Sequence, residues 1–438
     1  MKNIRWVFGL LILGFWACDP PEEPSAQPQS NEVRDAIFAT MKEWYYWNME
    51  LPTNVNTGDY SSNEEFLDAI IFKPLDRFSY LTTQEAFQNA FVGRNAGHGF
   101  GFGFDAEERL YLTFVFDEAP AGKDGWKRGW EIIEINGKPL ADYKSGNVYD
   151  FQLGPSDPGI TNTFTFRLPD GSITTRTNTK AEYQSNSVLH QQVFELDTKK
   201  VGYWVYQSFK ATPDVTPIQS REVQNSMKYF MEQGVSEMII DLRYNGGGSV
   251  DVAEQINNYL INPGNSDRLM YTNKLNNVKS NFNTSEIFKK LGTLNLDRII
   301  FITSRGTASA SELVINALDP YMELVLIGDN TFGKPVGSFP LARFNQVLQD
   351  NDVELVPITF AIANSQGKAE YFDGFPADFS VSDSPQFAWG DTRDLRLSAA
   401  LQYIQEGTVN SRLRQGFYRP NWEMIDAFTG LQQEFPAF

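Results

Sequence analysis

The sequence predicts an α/β protein whose main core is preceded by two smaller modules, and three observations carry that expectation. From Val201 onward, apolar runs of strand length alternate with amphipathic helical stretches. Before that, residues 97–180 read as strand pairs joined by turn signals such as Asn136-Gly137 and Pro169-Asp170-Gly171. Earlier still, from Glu32, apolar residues recur at helical spacing. With 438 residues, 41% hydrophobic and 14% aromatic, the chain has the length and composition of a multi-domain globular protein. The formal net charge of −18 and the lack of a Lys/Arg cluster argue against a nucleic-acid partner.

Residues 1–17 read as a signal peptide. Lys2 and Arg5 precede the apolar run Trp6 to Ala17, which is too short to span a bilayer. Cys18 follows and is the sole cysteine, so it has no internal disulfide partner. Ala17-Cys18 resembles a bacterial lipoprotein signal. That resemblance implies lipidation of Cys18, a membrane anchor, and a place in the cell envelope, at the periplasm or outer membrane. Residues 18–30, rich in Pro and acids, read as an extended tether.

Residues 31–92 form the expected helical N-terminal module. Val33, Ile37, Met41 and Trp44 share one helical face, and Pro52 is expected to end the element. Ser62 and Glu65 have capping-box spacing at the start of a second helix through Phe66 and Ile70.

Residues 93–180 form the second module. Gly99-Phe100-Gly101-Phe102 leads into strand-like Leu110 to Phe116, a short helix at Ala119-Pro120-Ala121, the strand Glu131 to Ile135, and a closing hairpin over Thr163–Leu168 and Ser172–Thr177. Together these resemble a PDZ domain of the bacterial protease type. The resemblance implies that Gly99, Phe100, Gly101 and Phe102 bind a peptide's terminal carboxylate while the peptide adds as a strand.

Residues 181–406 carry the core. Val201–Val205, Met238–Leu242, Ile299–Thr303 and Leu324–Ile327 read as strands, and Glu222–Glu232 and the stretch containing Val252, Ile256 and Leu260 as helices. Ligands in such folds gather beyond the carboxyl ends of the strands. Two unusual segments fall there: Arg243-Tyr244-Asn245-Gly246-Gly247-Gly248, and Ser309-Ala310-Ser311-Glu312 at the start of a helix. Residues 407–438 carry apolar Phe417, Trp422, Met424 and Phe428, which predict packing against the core.

Ser309 is a candidate nucleophile. The two histidines, His98 and His190, sit in no comparable setting, whereas Lys334 follows in Thr331-Phe332-Gly333-Lys334. A lysine acts as base only when neutral, which apolar burial favours; Phe332, Pro335 and Val336 are the expected walls. The helix start offers the Ala310 amide to an oxyanion, and the glycine run offers the Gly246 or Gly247 amide. Each feature also has a plain structural reading. Ser309 and Glu312 form a capping box, the glycines a tight turn, and Lys334 a solvated side chain. No phosphate loop, metal-ligating constellation or cofactor motif is present, so no cofactor and no metal are expected.

As a set, Asp241 to Gly248, Ser309 to Glu312 and Thr331 to Lys334 resemble the C-terminal processing (tail-specific) peptidases. The likeness runs from about Glu32 to Tyr403. It implies a serine peptidase core of crotonase/Clp-protease-like α/β fold and a Ser309–Lys334 dyad. It also implies protein or peptide substrates with accessible C-termini, and it leaves room for a homo-oligomer. Some family members orient the lysine with a third polar residue, at positions that here hold Pro320 and Ser338. Ser338 and the adjacent Asp319 are therefore the candidate orienting residues. The alternative reading is a non-catalytic, PDZ-type C-terminal peptide-binding protein on a protease-like scaffold.

Overall fold

The computed structural model describes residues 31–196, 199–296, 298–410, 412–413 and 423–424. The signal, Cys18, the tether and most of 407–438, including Phe417, Trp422 and Phe428, lie outside the described residues. Among the described residues no helix is long and apolar enough to cross a membrane.

Helix α1 (Asn31–Trp44) buries Val33, Ile37, Met41 and Trp44, each burial contributing about 1.5–3 kcal/mol. It ends at Trp44, well before Pro52, because Tyr45 turns inward; its hydroxyl donates to Asp76 at 2.7 Å. Helix α2 (Asn63–Ile70) has the expected cap, with Ser62 Oγ accepting the Glu65 N–H at 3.0 Å. The reciprocal half of the box moves by one residue, since Glu65 accepts from the Ser61 N–H at 2.8 Å. Helix α3 (Gln84–Phe91), absent from the sequence reading, follows. The helical segment is no separate body. Its buried residues share one hydrophobic core with Trp204, Met227, Ile256 and Leu313, and Tyr80–Thr82 pairs antiparallel with Glu354–Val356.

The middle module folds around its own core of Phe100, Phe102, Leu112, Trp126, Ile132, Phe164 and Phe166. Its antiparallel sheet runs in the order 173–179, 161–167, 131–135, 110–115, 100–104, with the short helix α4 (Pro120–Lys123) beside it. Two antiparallel strands, Arg94–Gly97 and Ala181–Gln184, lead into and out of it. Glu423–Met424 pairs in parallel with Val148–Tyr149, so this piece of the C-terminal segment meets the module rather than the core.

The core sheet has the order 188–196, 199–206, 237–241, 298–303, 323–328, 379–380. The first pair is antiparallel and the rest are parallel. The middles of the parallel strands are apolar because helices cover both faces, and charged residues such as Glu237, Arg298 and Glu323 fall at their ends. On one side lie α5 (Arg221–Gln233), α6 (Val250–Leu260) and α7 (Ala310–Leu318). After the short α8 (Gln346–Asp350), α9 (Leu395–Glu406) covers the other side with Leu397, Ala400 and Ile404. A second, antiparallel sheet of 284–287, 269–275, 358–364 and 336–338 was not expected; Thr272, Asn273 and Lys274 make one strand polar, while the apolar run Phe360, Ala361, Ile362, Ala363 was the available signal for another. The turns after Asp241 and Thr303 leave adjacent strands at their carboxyl ends, as anticipated.

Candidate active site

Ser309 stands at the N-terminus of α7 with φ 56° and ψ −115°. Positive φ on a residue with a Cβ costs on the order of 1–3 kcal/mol, so the surroundings must enforce it. They do so through Asn245. Its carbonyl accepts the Ala308 N–H and the Ser311 hydroxyl, each at 3.1 Å, on either side of Ser309. Thr307 Oγ1 adds a bond to the Leu242 carbonyl at 2.7 Å. The serine turn is thereby stitched to the Asp241–Gly248 turn.

The glycine run is required by close approach. A Cβ on Gly247, whose φ is +116°, would lie 2.8 Å from Ser309 Cβ and 3.1 Å from the Ala310 nitrogen. The same geometry corrects one expectation. The Gly247 N–H is engaged by Asn245 Oδ1 at 2.9 Å, so it is not directed at an oxyanion. Gly248, with φ +130°, lines the cavity that holds Ser309.

Lys334 is 4% exposed, not the solvated side chain of the plain reading. Ser309 and Lys334 both line a cavity of about 480 Å³, together with Phe91, Phe339 and Phe360. Lys334 Nζ lies 5.6 Å from the centre of the Phe78 ring. The expected wall Phe332 instead packs edge-on against Phe78, at 6.0 Å. Thus an aromatic from the N-terminal segment, not the local sequence, faces the lysine. On another wall, burial together with Glu286 and Asp251 pushes the Glu254 carboxyl up to about 7.

Neither proposed orienting residue reaches Lys334. Ser338 Oγ is buried and makes no hydrogen bond. Asp319 caps the far end of α7 and pairs with Lys368 at 3.3 Å, about 15 Å along the axis from the serine end. The backbone of the lysine segment is instead held by Glu312. This buried carboxylate accepts from Thr331 Oγ1 at 2.5 Å, Gly333 N at 2.7 Å, Lys334 N at 2.8 Å and Ser309 N at 3.1 Å. Burial pushes its carboxyl above the usual range, and the four donors offset only part of that rise. The sequence reading saw only the Ser309 half of this. A charged residue inside the buried, mostly apolar helix Ala310–Leu318 was the available signal. From outside, Arg77 donates to the carbonyls of Phe332, Gly333 and Phe372 at 3.2–3.3 Å.

Gly99, Phe100, Gly101 and Phe102 lie at and beyond the start of the edge strand Phe100–Phe104 and are buried. Phe100 and Phe102 belong to the module core, and Phe151 packs edge-on against Phe102 at 5.3 Å.

Residues 200–357 match the family profile Peptidase family S41, and residues 32–80 match the Peptidase S41 N-terminal domain. The chain is 25% identical over 306 residues to the chloroplastic carboxyl-terminal-processing peptidase 3 of Arabidopsis thaliana, covering 65% of this chain and 54% of that one. It is 27% identical over 227 residues to peptidase 1 of the same organism, covering 51% and 43%. The chain thus spans about half the length of these curated relatives. A Bacteroides fragilis protein described as an S41 protease has the same fold, with a TM-score of 0.69 at 22% identity over 88% of this chain and 100% of that one. Residues 32–80 and 200–357 thus match, in order, the N-terminal and peptidase domains of family S41.

Proposed function

We propose that the protein is a serine endopeptidase that cleaves protein substrates near their C-termini, with Ser309 as nucleophile and Lys334 as general base. The observation that carries this reading is the shared cavity: a strained serine at a helix start and a buried lysine line one largely apolar space. In the proposed reaction Lys334 Nζ takes the Ser309 proton as Oγ attacks the scissile carbonyl. The Ala310 amide and an amide of Gly246 or Gly248 stabilise the tetrahedral oxyanion, and the lysine then returns its proton to the leaving amine. Water hydrolyses the acyl-enzyme by the same path.

The middle module supplies substrate selection in this reading. Its edge strand Phe100–Phe104 is the place for a tail to add, with Gly99 and the strand's first residues nearest the tail's carboxylate. The signal-like residues 1–17 and Cys18 support a lipid-anchored enzyme of the cell envelope. A reporter protein with an unstructured C-terminal tail tests the activity: wild type shortens it, while Ser309→Ala and Lys334→Ala leave it intact. Tail binding without cleavage by wild type would favour the non-catalytic alternative.

A further inference from the structure

Away from the cavity, Arg128 of the middle module is inserted between that module and the peptidase core, with 6% of its surface exposed. Its Nη1 donates to the Thr113 carbonyl of its own module at 2.7 Å and to the Tyr244 hydroxyl of the core at 3.1 Å. Its Nε donates to the Phe387 carbonyl at 2.8 Å, and its guanidinium stacks 3.9 Å from the Trp389 ring. Asp394 lies 3.4 Å from Nη2 and Asp383 3.7 Å. The fit extends to the backbone: a Cβ on Gly129, whose φ is +92°, would lie 2.8 Å from the Gln386 carbonyl.

Tyr244 occupies the turn that brackets the nucleophile. Its hydroxyl bonds Asp383, which also takes Arg243 Nη1 at 2.7 Å, and Arg243 is itself fully buried between Asp241 and Asp394. The next residue, Asn245, holds Ala308, Ser311 and the Gly247 amide. Arg128 and Arg243 thus contact three carboxylates, Asp241, Asp383 and Asp394, and the buried Arg396 acts on Asp383 as a third guanidinium. If Arg128 withdraws, the buried carboxylates lose one counter-charge. A buried charge left short of a partner is strongly unfavourable, so Tyr244 and Arg243 must rearrange.

We propose that Arg128 is a positioning residue for the reaction. While the middle module is docked, Arg128 fixes Tyr244 and, through the adjoining Asn245, the two turns that hold Ser309 in its strained conformation. This rests on the Ser309–Lys334 reading above and adds to it a route by which the state of the middle module reaches the nucleophile.

The test uses the full chain with Arg128→Ala and Tyr244→Phe, read by amide hydrogen exchange and by kinetics. Exchange at residues 244–248 and 307–311 is expected to accelerate about tenfold or more in both variants while exchange within the middle-module sheet stays unchanged. On the tailed reporter, kcat is expected to fall about tenfold with KM little changed, and the double variant to lose no more than the larger single loss. A low, non-denaturing concentration of guanidinium should partly restore Arg128→Ala. A merely structural bridge would lower thermal stability yet leave exchange in those two segments and kcat per folded molecule as in wild type, and that result overturns the proposal. If Arg128→Ala does not fold, Tyr244→Phe carries the same two readouts. If wild type cleaves nothing, the peptidase reading fails, while unchanged or accelerated exchange still decides the positioning role.

Discussion

Glu312 and Lys334 are bound to each other through the backbone: Glu312 Oε2 accepts the Lys334 N–H at 2.8 Å and, on the same oxygen, the Ser309 N–H at 3.1 Å. One buried carboxylate therefore sets the separation between the two elements that carry the candidate dyad. Taking an ionised carboxylate from water costs several kcal/mol. Hydrogen bonds to a charged group each return about 1.5–3 kcal/mol, so four of them can hold it there.

Glu312→Gln keeps the shape but replaces one acceptor oxygen with an NH2 that faces N–H donors. A loss of about 2–4 kcal/mol in folding stability is expected from denaturant titration. Turnover of the tailed reporter should drop about a hundredfold or more, because Ser309 and Lys334 lose their common anchor. Wild-type turnover in Glu312→Gln would show that the carboxylate has no part in placing them.

Gly247→Ala sets a methyl group 2.8 Å from Ser309 Cβ and 3.1 Å from the Ala310 nitrogen, on a backbone with φ +116°. Near-complete loss of cleavage is expected, with destabilisation of about 1–3 kcal/mol from the strained backbone. Thermal unfolding and the reporter assay on the same preparation separate the two effects. An active Gly247→Ala would mean that the glycine turn is dispensable to the serine.

Arg77 supports the lysine segment from the N-terminal side by three carbonyl contacts and stands 4.8 Å over the Phe332 ring. Because Arg77 is exposed, its removal should cost only about 1 kcal/mol in stability. The expected effect on kcat is larger, about tenfold, since the segment carries Lys334. All three contacts come from one nitrogen, Nη2, which an ammonium can replace, so Arg77→Lys should recover part of the loss. A kcat equal to wild type in Arg77→Ala would confine the N-terminal segment to a packing role.

Lys210 gives a pH-dependent prediction. It is buried beside Gln207 and over the Phe116 ring, and burial pushes it down to about 7 from 10.5, with Glu222 acting in the opposite direction. Between these values the unfolded chain holds a proton that the folded chain has released. Stability from this group therefore rises with pH from about 7 towards 10.5. Denaturant titrations of wild type and Lys210→Met at neutral and alkaline pH should show the wild type gaining relative to the variant as pH rises. A constant difference would contradict the assignment.

The peptidase core was the most legible part of the chain. Continuous apolar runs at Met238–Ile240 and Ile299–Ile302 identify buried parallel strands, and the glycine and serine turns then fall at neighbouring strand ends. What escaped the sequence depends on long-range packing. Phe78 reaches Lys334, and Arg77 the neighbouring Gly333 carbonyl, only because the N-terminal helices share the core's interior, and nothing in their local pattern signals it. Ser338 was favoured by its distance along the chain from Lys334, yet its hydroxyl is buried without a partner. Asp319 sits at the opposite end of α7 from the serine. Glu312 was read as a local cap, whereas its second oxygen reaches across to Thr331 and Gly333.

The most direct measurement of the central claim is mass-spectrometric mapping of cut sites in a protein with an unstructured C-terminal tail, after exposure to wild type, Ser309→Ala or Lys334→Ala. The account predicts cuts near the C-terminus with wild type, none with either variant, and unfolding transitions for both variants close to that of wild type. Undiminished cleavage by a folded Ser309→Ala protein would contradict it.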